Sequence, residues 1–134
     1  MNNNLTVRDL LPDEEESVRL FLGRHGWGHR TGSSEHFRQL INNSQRTAVA
    51  LHGAQIVGFA RGISDGLSNG YLSMVAVDSQ HRRKGIGRKL VEHVMADNPD
   101  ITWMLRAGRE GAEAFFASLG FEMSVIAMER PRLK

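Results

Sequence analysis

The segment from Tyr71 to Met95 constrains this chain more than any other. Tyr71 to Val77 is apolar almost throughout, which predicts a buried, central strand. It runs into Asp78 and then a basic loop, Arg82-Arg83-Lys84-Gly85-Ile86-Gly87-Arg88. Ile86, Leu90, Val94 and Met95 follow at helical spacing. A strand that feeds a helix through two glycines leaves the first helical N–H groups without intrahelical partners. Gly85 and Gly87 lack a Cβ, so a ligand can approach their backbone. The helix dipole and the cations Arg82, Arg83, Lys84 and Arg88 favour an anion there, and the arrangement suits a pyrophosphate. The spacing is not that of a Walker loop. Nor is it a full dinucleotide fingerprint, because Leu90 stands where the third glycine belongs.

The other elements fall on either side of this unit. Leu5 to Arg8 reads as a strand, and Pro12 opens a helix whose acidic first turn spans Asp13 to Glu16. Gly23 to Gly26 ends that helix, and Gly26 to Gly32 reads as a loop. Ser33 or Ser34 caps a second helix carrying Phe37, Leu40 and Ile41. Thr47 to Leu51 and Ile56 to Ile63 are strands around a tight turn. Asn98-Pro99 stops the helix that begins at Ile86. Ile101 to Leu105 is a buried strand, Ala112 to Leu119 a helix before Gly120, and Phe121 to Met128 a last strand. The expectation is an α/β (α+β) fold, a mixed, mostly antiparallel sheet of about six strands flanked by about four helices. A Rossmann fold would alternate strand and helix strictly, and this chain does not.

Composition closes off several functions. The 134 residues suit a single domain, 1–134, and include no cysteine. A disulfide scaffold, a thiolate nucleophile and a cysteine-ligated metal are therefore excluded. The net charge is only +2, with five of the 17 cations between Arg82 and Lys89. A chain that lives on nucleic acid usually carries more excess and interleaves aromatic residues, so no nucleic-acid partner is expected. No apolar run approaches the roughly 18–20 residues that span a membrane. The polar start is not of signal-peptide type, so the expected address is cytoplasmic.

Arg82-Arg83-Lys84-Gly85-Ile86-Gly87 resembles the R/Q-x-x-G-x-G/A motif of the GNAT superfamily of N-acetyltransferases. Leu72 to Val77 is similar to that family's central strand. Ala112 to Phe121 is similar to its A-x-x-F-Y-x-x-L-G-F stretch, and the element order is the family's own. Gly58-Phe59-Ala60-Arg61, followed by Ser64-Asp65, resembles a subgroup of small bacterial and plastid-type members. The resemblance implies acetyl-CoA as co-substrate and no metal. Pantetheine would pair with the backbone of Val75, Ala76 and Val77, and Phe116 would touch it. The pyrophosphate would sit on residues 82–88. An amine would attack the thioester directly in a ternary complex, with a backbone N–H near Val75 or Ala76 steadying the oxyanion. Three positions depart from the family pattern. Phe116 stands where many members have the tyrosine that protonates the leaving thiolate, Arg109 replaces a frequent asparagine, and Met74 replaces the subgroup's acidic residue.

The remaining candidates have competing readings. Asp65 is either the general base or substrate anchor, or the first residue of an Asx turn with Gly66. Trp27, His29 and Arg30 lie in the loop that borders the acceptor pocket in the family; otherwise they are an ordinary surface loop anchored by the tryptophan. His25 and His29 have metal-ligand spacing only on a helix, which Gly26 and Gly28 oppose. Gly66 to Gly70 matches a nucleophile elbow but joins two strands, where that elbow has no function. Phe115 and Phe116 read as core, and Trp103 as core or a dimer face, which leaves a homodimer open. The function expected is acetyl transfer to a small-molecule or protein amine. The alternative is an acyl-CoA-binding sensor or partner domain with weak catalysis, motivated by Phe116 and Met74.

Overall fold

The computed structural model describes residues 4–133, and their strands form one five-stranded sheet in the order β1-β2-β3-β4-β5. The strands are β1 (Leu5–Arg8), β2 (Arg46–His52), β3 (Gln55–Ser64), β4 (Asn69–Val77) and β5 (Thr102–Met104). The first four pair antiparallel, each with its neighbour in sequence, and β4 pairs with β5 in parallel. The helices are α1 (Glu15–Arg24), α2 (Gly28–Thr31), α3 (Ser34–Asn42), α4 (Ile86–Met95) and α5 (Ala112–Ala117).

Strand alternation sorts the core into two layers. On β2, Ala48 and Ala50 face α4, while Val49 and Leu51 face α1 and α3. The α1 side is filled by Val18, Phe21 and Leu22, with Phe37 of α3 against Phe59 of β3 at 6.4 Å between rings. The α4 side is built differently. Small residues line the sheet, so the helix stripe Ile86, Leu90 and Val94 lies close upon it. A Cβ on Gly58 would come within 2.9 Å of Leu90 Cδ1, and one on Gly62 within 2.5 Å of Val94 Cγ1. Trp103 on β5 covers Gly70 and Gly62 and packs, partly buried, against the α4-side core.

Three expectations change. The stretch Gly26–Gly32 contains a one-turn helix, α2, which raises the helix number to five among the described residues. Helix α4 ends at Met95, where Ala96 takes φ +57, before Asn98-Pro99 is reached. The sixth strand, Phe121 to Met128, is absent among the described residues. The Ser124 hydroxyl instead accepts from the amides of Ile126 and Ala127, a local turn that competes with extension. β5 is only three residues long, so little edge remains to template a neighbour. Val125 and Met128 stay 97% and 96% exposed as a result.

Candidate active site

The end of β4 and the start of α4 form the first half of the site. The Asp78 carboxylate accepts from the Gln80 amide at 3.2 Å and caps a single 3-10 turn, Ser79–His81. That hydrogen bond, and then His81, hold its pKa below the ordinary carboxylate value. His81 Nδ1 lies 3.3 Å from one Asp78 oxygen and His25 Nε2 lies 3.7 Å from the other. His25 Nδ1 is 2.8 Å from the Phe21 carbonyl, which assigns the proton to that nitrogen. This cluster fixes the direction in which the chain leaves the sheet. Arg83 then takes φ +67 and Gly85 φ +78, so the loop turns sharply into α4. Gly85 faces open space, whereas a Cβ on Gly87 would come within 2.8 Å of the Phe115 ring. Gly85 therefore leaves the helix end approachable, and Gly87 lets α5 pack on α4.

The cations around this helix end are not equivalent. Arg82 Nε makes a long 3.4 Å bond to the Val77 carbonyl, and Arg88 reaches the Ser118 carbonyl at 3.2 Å and Glu92 at 3.5 Å. Arg83 and Lys84 are exposed and have no hydrogen bond or ion pair among the described residues. The structure thus brings Arg82, Arg83, Lys84, Gly85, Ile86, Gly87 and Arg88 to one helix N-terminus, with Ile86 buried beneath them.

The second half is a cleft of about 970 Å³. It exists because β4 and β5 part. Their pairing covers only Asn69–Tyr71 against Thr102–Met104, while β4 continues to Val77. On its other edge β4 is bulged. Ala76 opposes Phe59 and Ser73 opposes Arg61, which leaves Met74 and Val75 against a single residue, and Met74 takes φ +58. A bulge of this kind interrupts the ladder and re-aims backbone groups. It sits at the wall of the cleft, which Met74 and Val75 line together with Leu105 and Phe116. The Phe116 ring meets Phe115 at 4.9 Å and Phe121 at 5.6 Å, both edge-to-face, so it belongs to the core and to the cleft at once.

Trp27, His29 and Arg30 all line this cleft. The Trp27 and His29 rings stack at 6.5 Å, and the Arg109 guanidinium lies over Trp27 at 3.8 Å while donating to the Gly26 carbonyl at 2.8 Å. Asp65 is elsewhere. It lies in the β3–β4 turn, where its carboxylate accepts from the amides of Leu67, Ser68 and Asn69 and from the Ser68 hydroxyl. These donors hold its pKa far below the ordinary carboxylate value. A carboxylate so occupied is a weak base, and Asp65 is a turn residue, not a member of the cleft.

Sequence reasoning missed Arg61, Tyr71, Ser73 and His36, which line the same cleft. Arg61 is 9% exposed; its Nη1 donates to the Ser44 hydroxyl at 3.0 Å. Burial lowers its pKa, against an opposing effect of Tyr71. A lone arginine inside an apolar strand was the available signal. His36 and Tyr71 gave none, because only the register of β3, β4 and α3 brings them together.

Comparison with known proteins accords with this geometry. The acetyltransferase (GNAT) domain family matches residues 43–123. A PanD regulatory factor of Salmonella typhimurium is 33% identical over 86 residues, which cover 60% of this chain and 67% of that protein. A putative acetyltransferase of the GNAT family from Xanthomonas campestris pv. campestris is 25% identical, with a TM-score of 0.68 over 96% of this chain and 93% of that one. Glucosamine-6-phosphate N-acetyltransferase of Arabidopsis thaliana, at 19% identity, shares the fold with a TM-score of 0.69, over 95% and 97% of the two chains. With the matched region running from the end of α3 through the bulged strand, the glycine loop and α5, the chain belongs to the GNAT acetyltransferase family.

Proposed function

We infer that the protein transfers an acetyl group from acetyl-CoA to a primary amine in a ternary complex. The observation that carries this is the continuity of the parted, bulged β4 with the basic loop at the α4 N-terminus. The residues suit the co-substrate. Arg82, Arg83 and Lys84 offer donors to a pyrophosphate, the open face of Gly85 lets it reach helix N–H groups, and Val75 to Val77 offer a strand edge to an extended arm. Acetyl-CoA supplies the activated acyl group; everything else falls to the chain. Phe116 and Leu105 exclude water from one wall. The backbone at the bulge is the candidate oxyanion donor. The groups of the cleft able to carry the ammonium proton include His29, His36 and Tyr71. Tyr71 also gives the cleft a phenol where Phe116 has none.

The test is release of free CoA that depends on added amine, followed with a thiol reagent. The chain has no cysteine, so the protein adds no background. CoA release that rises with amine and saturates supports the transferase. Release independent of any amine contradicts it.

A second reading has its own support. The similar Salmonella protein carries the name of a regulatory factor, and this chain lacks both the tyrosine at Phe116 and an acidic residue at Met74. Under that reading the domain binds an acyl-CoA and acts on a protein partner. Tight acetyl-CoA binding without turnover on an amine panel would favour it.

A further inference from the structure

Arg61 is a charge without a counter-charge. It sits mid-strand on β3, opposite Ser73 of β4, and is 9% exposed. Buried arginines are normally paired, because an isolated charge is costly to remove from water. Here no carboxylate forms an ion pair with it among the described residues. Among the described residues its Nη1 meets only a serine hydroxyl, and its buried Nε has no hydrogen-bond partner. The same side chain lines the cleft.

The rest of the cleft has the same sign. Arg30, Arg106, Arg109, Arg130 and Arg132 also line it, against one acid, Glu129. Glu129 is already engaged by Arg106 Nε at 3.0 Å. A cleft so charged repels polyamines and other multiply cationic acceptors. It attracts an amine whose other end is an anion, and a guanidinium fork matches the planar or tetrahedral oxygens of such a group.

We propose that the acceptor is a small amine bearing a carboxylate or phosphate, and that Arg61 is the anchor for that anionic group. The proposal rests on the transferase reading for the role of the amine. Ser73, opposite Arg61, precedes the bulge residue Val75 by two positions on β4, and all three residues line the one cleft.

Calorimetric titration of matched amines into the CoA-saturated protein tests this, with the same titrations repeated without CoA. The pairs are 2-aminoethyl phosphate against ethanolamine, and β-alanine against β-alaninamide. The anionic member of at least one pair binds about 10-fold or more tightly, as expected for a charge-assisted bond in a buried site. Whichever pair shows the larger gap identifies phosphate or carboxylate as the group held. Arg61→Gln closes the gap, and Arg61→Lys, which keeps the charge and serves as the control for folding, retains part of it. Equal binding within both pairs, no binding of either anion, or a preference that survives Arg61→Gln would overturn the proposal. Failure of the transferase reading is separate: it shows as absent CoA binding or absent CoA release, while the difference within each pair still reports on Arg61.

Discussion

Single side chains decide three outcomes. Glu16 is held by Arg19 at 2.6 Å and by the Ser34 hydroxyl at 2.7 Å, and its pKa falls from 4.5 to about 2. A carboxyl whose folded pKa lies below its unfolded value stabilises the fold above the unfolded value and loses that contribution as pH falls through the folded one. Glu16→Gln therefore lowers the melting temperature at pH 6, and the difference from wild type closes between pH 4.5 and about 2; thermal melts across that range check it. Asp65→Ala removes the oxygen that accepts from three turn amides without touching the cleft. It is expected to lower the melting temperature and to leave kcat/KM within about twofold, whereas a residue acting as base would cost about a hundredfold or more. Phe116→Tyr places a phenol on the cleft wall, and we expect kcat to rise with little change in acceptor KM, measured by the CoA-release assay.

At the scale of elements, the fit of α4 to the sheet carries the core. Gly62→Val would drive a side chain into Val94, already 2.5 Å from a single added Cβ, and should cost about 1–3 kcal/mol or more in chemical denaturation. The elements easiest to read in the sequence were those whose signal is local. The apolar runs of β2, β3 and β4, the Ile86, Leu90, Val94 stripe and the Ser33 cap, which accepts from the His36 amide at 3.1 Å, all announce themselves. The expected strand from Phe121 to Met128 had the same apolar character. Its fate depended on a short β5 and on Ser124 capturing amides, and neither appears in a hydrophobic pattern. The site divides in the same way. The loop from Arg82 to Arg88 is contiguous and rests on glycine and helix-end chemistry, so its residues were legible. Arg61, Tyr71, Ser73 and His36 come from three elements and meet only through register. Asp65 looked like a candidate base because its type and place fitted, but only the turn shows its oxygens already occupied.

For the whole molecule, the modest net charge of +2 conceals a strong asymmetry. Cations gather at the α4 end and around the cleft, while Glu14 and Glu16 are spent in ion pairs with Arg8 and Arg19 on the α1 side. Such a distribution suits the anionic co-substrate proposed for the loop and the anionic acceptor proposed for the cleft. Acetyl-CoA binding should weaken with salt, because the loop cations are exposed, whereas an anion held by the buried Arg61 should be screened less. Whether the α4 loop holds acetyl-CoA, as proposed, is decided by calorimetric titration of acetyl-CoA into the wild type and into an Arg83→Glu, Gly85→Glu variant. The wild type should show saturable one-to-one binding that the variant loses while its melting curve remains cooperative. Undiminished binding by a folded variant, or no binding of acetyl-CoA or free CoA by the wild type, would contradict it.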